Sequence, residues 1–212
     1  MKPESIRKRR TALLAALFAG ALCTFGQVTT DYDELPNPTA TDAKAWSAVK
    51  SVTVGWGDTD TRYKKELPAW TTARSISLTA WRGEKVSAQL AVSTPEKLSA
   101  LTFEADDLTG SASTISKANV RTAFVRYVMA DELQKDGQNT CSGRNQDEYR
   151  HFLVADPIDH LTSRLDMEPN TTRCGWVSIS VPRDAKAGTY SGTVEVKADG
   201  RTIASLRLNV KV

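Results

Sequence analysis

The chain has 212 residues, 40% of them hydrophobic and 25% charged, and a formal net charge of +3. Its first 26 residues carry Lys2, Arg7, Lys8, Arg9 and Arg10 against Glu4, a net of +4, which leaves residues 27–212 near −1. The positive surplus belongs to the terminal segment, so the net charge gives no support to nucleic-acid or anionic-membrane binding, which would need a basic patch in the folded part.

That terminal segment has the form of a secretory signal. A basic start, MKPESIRKRR, leads into the 13-residue apolar run TALLAALFAGALC, shorter than the roughly 20 residues that span a bilayer. Thr24 and Gly26 are small residues suited to cleavage before Gln27. Lipidation at Cys23 is the alternative, and Leu22 directly before it is a poor match for that processing. The expected organisation is a signal peptide at 1–26, a polar linker at 27–45 and one β-sandwich domain at 46–212, with no membrane span in the mature form.

From Trp46 onward the apolar residues recur with period two, the mark of half-buried antiparallel strands. Val52, Val54 and Trp56 share a face, as do Ile76, Leu78 and Ala80, and then Val86, Ala88, Leu90 and Val92. Leu101, Phe103 and Ala105 follow. The stretch 120–131 is apolar on both faces, with Ala123, Val125, Tyr127 and Met129 on one and Val120, Phe124 and Val128 on the other, which predicts a central strand covered on both sides. Val177, Ile179 and Val181 form the next face, then Val194, Val196 and Ala198, and last Leu206, Leu208, Val210 and Val212. Asp199-Gly200 is a two-residue hairpin turn. No long amphipathic helix is present; LPAWTTA and NQDEYRHFL are at most short helical turns. The fold class is all-β, an antiparallel β-sandwich of immunoglobulin-like or jelly-roll-like type.

After signal cleavage two cysteines remain, Cys141 and Cys174, and in an oxidising compartment an isolated pair is most simply a disulfide. Candidate chemistry is sparse. Asp131 and Glu132 resemble an acid pair, yet adjacent residues on a strand project to opposite sides, whereas glycoside hydrolysis needs two carboxyl groups converging on one bond. His151, Asp156, Asp159 and His160 match no established zinc spacing, and Pro157 after Asp156 marks a turn. No metal or other cofactor is expected. Of five tryptophans, Trp81 and Trp176 lie on the face opposite the cleanly apolar one. They are the glycan-contact candidates, since an indole can stack on a sugar ring; packing beneath a second layer or a neighbouring domain is the alternative.

The stretch WVSISVPRDAKAGTYSGTVEVKA, residues 176–198, resembles the close of the N-terminal β-sandwich in bacterial glycoside hydrolases related to family 123. It holds Val181, Pro182, Asp184, Ala185, Gly188, Tyr190, Gly192 and Val194 at the pattern positions. SLTAWRGEKVSAQLAVST, FVRYVMADE, and CSGR followed by FLVADPID are similar to further pieces of that domain in the same order, so the resemblance covers about residues 50–212. It implies exo-acting hydrolysis of N-acetylgalactosamine-type glycosides by a substrate-assisted mechanism. The catalytic Asp-Glu tandem of those enzymes lies on a (β/α)8 barrel after the sandwich, and this sequence has no positions matching it. The expected function is therefore a secreted, non-catalytic accessory domain whose partner is a downstream barrel of the same protein, in the periplasm or on the surface of a Gram-negative bacterium. A free-standing carbohydrate-binding or adhesion module is the alternative.

Overall fold

A computed structural model of the chain describes residues 34–130 and 152–212. After a short helix α1 (Ala43–Ser47), the described residues form twelve strands. These are β1 (Thr53–Gly57), β2 (Ser75–Thr79), β3 (Lys85–Thr94), β4 (Leu98–Ala105), β5 (Leu108–Thr109), β6 (Thr114–Ile115), β7 (Val120–Ala130), β8 (Phe152–Asp159), β9 (Leu165–Met167), β10 (Thr171–Ser180), β11 (Thr189–Ala198) and β12 (Arg201–Lys211). One sheet runs β1-β3-β10-β7-β8, and the other runs β2-β12-β11-β4-β9 with β5 and β6 attached beside β11. The predicted signal peptide lies outside the described residues.

The two sheets bury between them the faces that the alternation predicts. Val54 and Trp56, then Ala88, Leu90 and Val92, line the core from the first sheet; Val194, Val196, Leu206, Leu208 and Val210 meet them from the second. Burial of each Val or Leu among them contributes roughly 1.5–3 kcal/mol, so it is the summed face and not any one residue that holds the sheets together. Trp56 adds a directional tie: its indole N–H donates to the Arg207 carbonyl of the opposite sheet at 2.9 Å. Tyr190 closes the corner, its hydroxyl donating to the Lys186 carbonyl at 2.7 Å. At the last hairpin Asp199 (φ 52°) and Gly200 (φ 74°) both take the left-handed conformation that a two-residue turn requires.

The strands are not all antiparallel. β2 runs parallel to β12, from Arg207 opposite Ser75 to Lys211 opposite Thr79. β2 belongs to the second sheet while the next strand, β3, belongs to the first, so the turn between them crosses the sandwich instead of forming a hairpin.

β7 is covered on both sides, as its two apolar faces predict. Val120 and Phe124 enter the main core, while Val125 and Tyr127 join a second cluster with Ala91, Leu153, Ala155 and Cys174 on the outer face of the five-stranded sheet. Segment 58–74 roofs that face. Its backbone is pinned by Trp56 N–H to Ala73 O at 2.8 Å, Thr172 N–H to Lys65 O at 3.0 Å and Tyr127 Oη–H to Tyr63 O at 3.1 Å. The LPAWTTA stretch forms no helix there; Trp70 instead sits at φ 54°.

Gly175 lies in β10 where the Phe103 ring crosses beneath it, and a Cβ there would come within 2.6 Å of Cε2 of that ring. A methyl group would gain at most about 0.8 kcal/mol of burial, against about 1–3 kcal/mol for overpacking. Gly175→Ala is expected to lower unfolding stability by about 1–2 kcal/mol, read as a shifted midpoint in urea denaturation.

Candidate functional site

The outer face of the five-stranded sheet holds most of the buried polar chemistry of the described residues. β10 and β7 pair from Ile179 opposite Val120 to Cys174 opposite Val125, and there the ladder ends. Beyond that point the backbone groups of β7 are taken up by side chains. The Tyr127 N–H donates to Glu34 Oε1 at 3.0 Å, and the Val125 carbonyl accepts from Arg173 Nη1 at 3.3 Å.

Glu34 is the hub of this arrangement. Its carboxylate pairs with the Arg173 guanidinium through both terminal nitrogens, the Nη2 contact being 2.9 Å. It also accepts from Arg126 Nε at 3.1 Å and Lys65 Nζ at 2.9 Å. Arg126 extends the cluster to Asp159 Oδ2 at 3.2 Å, and the Arg173 guanidinium lies 4.9 Å over the Tyr127 ring. Burial pushes the Glu34 carboxyl up, but the hydrogen bonds and charge of Arg173 and Lys65 outweigh it and hold the carboxyl down to about 2, from its usual 4.5. Burial alone would lower the Arg173 value, and Glu34 raises it instead.

The stretch expected to be a linker, 27–45, is held to the domain over its described part. Besides Glu34, Asn37 Nδ2 donates to Glu66 Oε2 at 3.0 Å and the Asp42 N–H to the Glu66 carbonyl at 3.5 Å, the carbonyl that the indole of Trp46, the next residue after the stretch, also reaches at 2.8 Å.

Trp176 lies on the same outer face, half-buried, and lines a groove of about 200 Å³ with Gln89, Arg62, Asp156 and Ile158. Arg62 and Asp156 pair across it at 3.2 Å, and the Gln89 amide donates to the carbonyls of Asp58 and Thr61. An indole flanked by an amide and an ion pair is a surface on which a sugar ring can stack. Trp81 is elsewhere. It occupies the β2–β3 turn with 82% of its surface exposed. Trp176 is opposite Gln89 whereas that turn ends at Lys85 opposite Ser180, four residues or about 13 Å further along the strand. The two candidate tryptophans therefore do not make one platform.

The remaining candidates separate as well. Asp131, Glu132, Cys141 and His151 lie outside the described residues. Cys174 is buried in the second cluster, where burial pushes its thiol up to about 12; the structure describes nothing of its expected partner Cys141. Asp156 and Pro157 do not form a turn; they fall inside β8, where the register against β7 slips between Val125 and Tyr127. Pro157 donates no ladder bond, and an edge strand with a bulge accommodates it. Asp159 ends that strand, accepting from the backbone N–H groups of Leu161 and Thr162 at 2.8 and 3.0 Å. Burial would raise its carboxyl, but the Thr162 hydroxyl, these N–H groups and Arg126 hold it below the usual range.

Sequence reasoning misses Glu34, Arg126 and Arg173. The available signal was an arginine inside each of two strands that otherwise read as buried, FVRYVM and TTRCGW. A charge there requires a counter-charge, and nothing local marks Glu34 as that partner.

The family model for the glycoside hydrolase 123 N-terminal domain matches residues 56–198, from β1 to the end of β11. Among solved structures, a family 123 glycoside hydrolase from Clostridium perfringens, described for glycolipid glycan hydrolysis, superposes with a TM-score of 0.64 at 21% identity, over 76% of this chain and 27% of its own. The likeness is one of fold, and the chain spans about a quarter of that enzyme's length. Weaker overlaps occur with a PapD-like domain of human CEP192 (TM-score 0.34, 12% identity, 85% of this chain and 94% of that one) and with the N-terminal domain of PorA (0.32, 9%, 76% and 96%). No curated protein sequence matches the chain.

Stability carried by Glu34 is expected to be present above about pH 4.5 and to be lost as the pH falls toward 2, because its carboxyl is depressed in the folded state. Glu34→Ala takes the carboxylate partner from the buried Arg173 guanidinium and should cost about 3–5 kcal/mol at neutral pH. Urea unfolding at pH 7 and pH 3 tests both: the gap between wild type and variant should narrow at the lower pH.

Proposed function

Because the chain belongs to the glycoside hydrolase 123 N-terminal domain family, we propose that it is the non-catalytic β-sandwich of a secreted glycan-degrading enzyme, packing beside a catalytic barrel. The observation that carries this reading is the match of the family model across residues 56–198, which takes in strands of both sheets and most of the core. The buried groups of the outer face agree with it. Glu34, Arg126 and Arg173 are engaged with one another and with backbone, an arrangement suited to holding strands and not to protonating a leaving group.

In the parent enzyme the hydrolysis of N-acetylgalactosamine-type glycosides would fall to the barrel, and the sandwich would stabilise it. A carbohydrate-binding role is the second reading, favoured by the Trp176 groove. A Cys141–Cys174 bridge belongs to the same extracellular setting.

The purified chain is expected to release no aryl alcohol from an aryl N-acetyl-β-galactosaminide above background. Turnover that disappears in Glu132→Gln would overturn the non-catalytic reading. In the second reading, affinity electrophoresis in N-acetylgalactosamine-containing polysaccharide should retard wild type but not Trp176→Ala. Under denaturing, non-reducing conditions the mature chain should present no reactive thiol, and two thiols per chain would exclude the bridge.

A further inference from the structure

Trp81 is the most exposed large apolar residue among the described residues, yet its backbone is held firmly. The Glu84 N–H donates to the Trp81 carbonyl at 3.1 Å, closing a turn with Gly83 at φ 79°. The Trp81 N–H donates in return to Glu84 Oε2 at 2.6 Å. The turn is then stitched to Val181, just past the end of β10, by Gly83 N–H to Val181 O at 2.9 Å and Val181 N–H to Glu84 O at 2.8 Å. An indole presented on so fixed a turn loses little backbone freedom on binding, and buried tryptophans anchor interfaces more often than most residues.

The position of this turn matters as much as its stiffness. The Ala80 N–H donates to the Lys211 carbonyl at 2.9 Å, and Gly188 and Val212 exchange two backbone hydrogen bonds at 3.0 and 2.9 Å. The Trp81 turn, the 181–188 turn and the end of β12 therefore make one end of the sandwich. Exposed Arg82, Lys85, Arg183, Lys186 and Lys211 ring it, against Glu84, whose carboxylate is engaged, and Asp184.

We propose that this end of the sandwich is the docking surface for the catalytic barrel, with the Trp81 indole seated in an apolar pocket of a partner surface that is otherwise acidic. The inference rests on the accessory-domain reading above. Two features select the barrel as occupant. The aligned Clostridium perfringens enzyme has some three-quarters of its length outside the match. The basic rim suits an acidic protein face and offers nothing specific to a neutral sugar.

Covalent indole labelling, read by mass spectrometry, tests this in the 212-residue chain and in a gene product carrying both sandwich and barrel. Trp81 should label readily in the first and be protected at least tenfold in the second. Trp70, 57% exposed beside Ser93, some eight residues or 26 Å along β3 from the Trp81 turn, should label alike in both. Protection of Trp81 should decrease in high salt if the basic rim contributes. Equal labelling of Trp81 in a two-domain product that hydrolyses N-acetylgalactosaminides would overturn the docking surface and leave the accessory reading standing. A gene whose product ends at the sandwich would overturn both, as would protection of Trp81 by glycan in the chain alone.

Discussion

A sheet covered on both faces has no water to satisfy its backbone, and in this domain that constraint bears hardest where β7 and β10 part. Each orphaned N–H or C=O would cost about 1–3 kcal/mol. Glu34 and Arg173 remove that cost, the first accepting from the Tyr127 N–H and the second donating to the Val125 carbonyl. Because each is charged, each then needs the other. The bidentate pair balances one guanidinium with one carboxylate, while Arg126, itself paired with Asp159, and the partly exposed Lys65 add further donors to Glu34. A residue 19 positions ahead of the first strand thus becomes part of the sheet's own hydrogen bonding.

The two ends of the sandwich consequently differ in character. Near Arg173 the chain closes on itself, with Glu34 plugging the split and segment 58–74 roofing the outer face. Near Ser180, at the far end of the same strand, the Trp81 turn leaves an indole in solvent although its backbone is fully bonded. One end is finished by the segment that carries Glu34, and the other presents an exposed indole beside the end of β12.

The strands of the core were largely legible from alternation. Val86, Ala88, Leu90 and Val92, or Leu206, Leu208 and Val210, can satisfy a period of two in only one way once one face must be dry. The elements that escaped are those in which that pressure is absent. β5, β6 and β9 have two or three residues each, too few for a period to register. β8 carries Asp156 and Pro157 within it, and their turn chemistry masks an edge strand that tolerates a bulge. α1 rests on an Asp42 cap and a single buried tryptophan, Trp46, in a stretch whose composition reads as loop.

The sequence by itself determined the β-sandwich, the double coverage of β7 and the Asp199-Gly200 hairpin, because solvent exclusion and turn geometry act over a few neighbouring residues. Tertiary structure alone decided that Glu34 meets Arg173 across 139 positions, that β2 lies parallel to β12, and that Trp81 and Trp176 face different surroundings. Each of these depends on which distant backbones come together when the two sheets close. A buried charge declares that it has a partner but carries no local mark of where in the chain that partner lies.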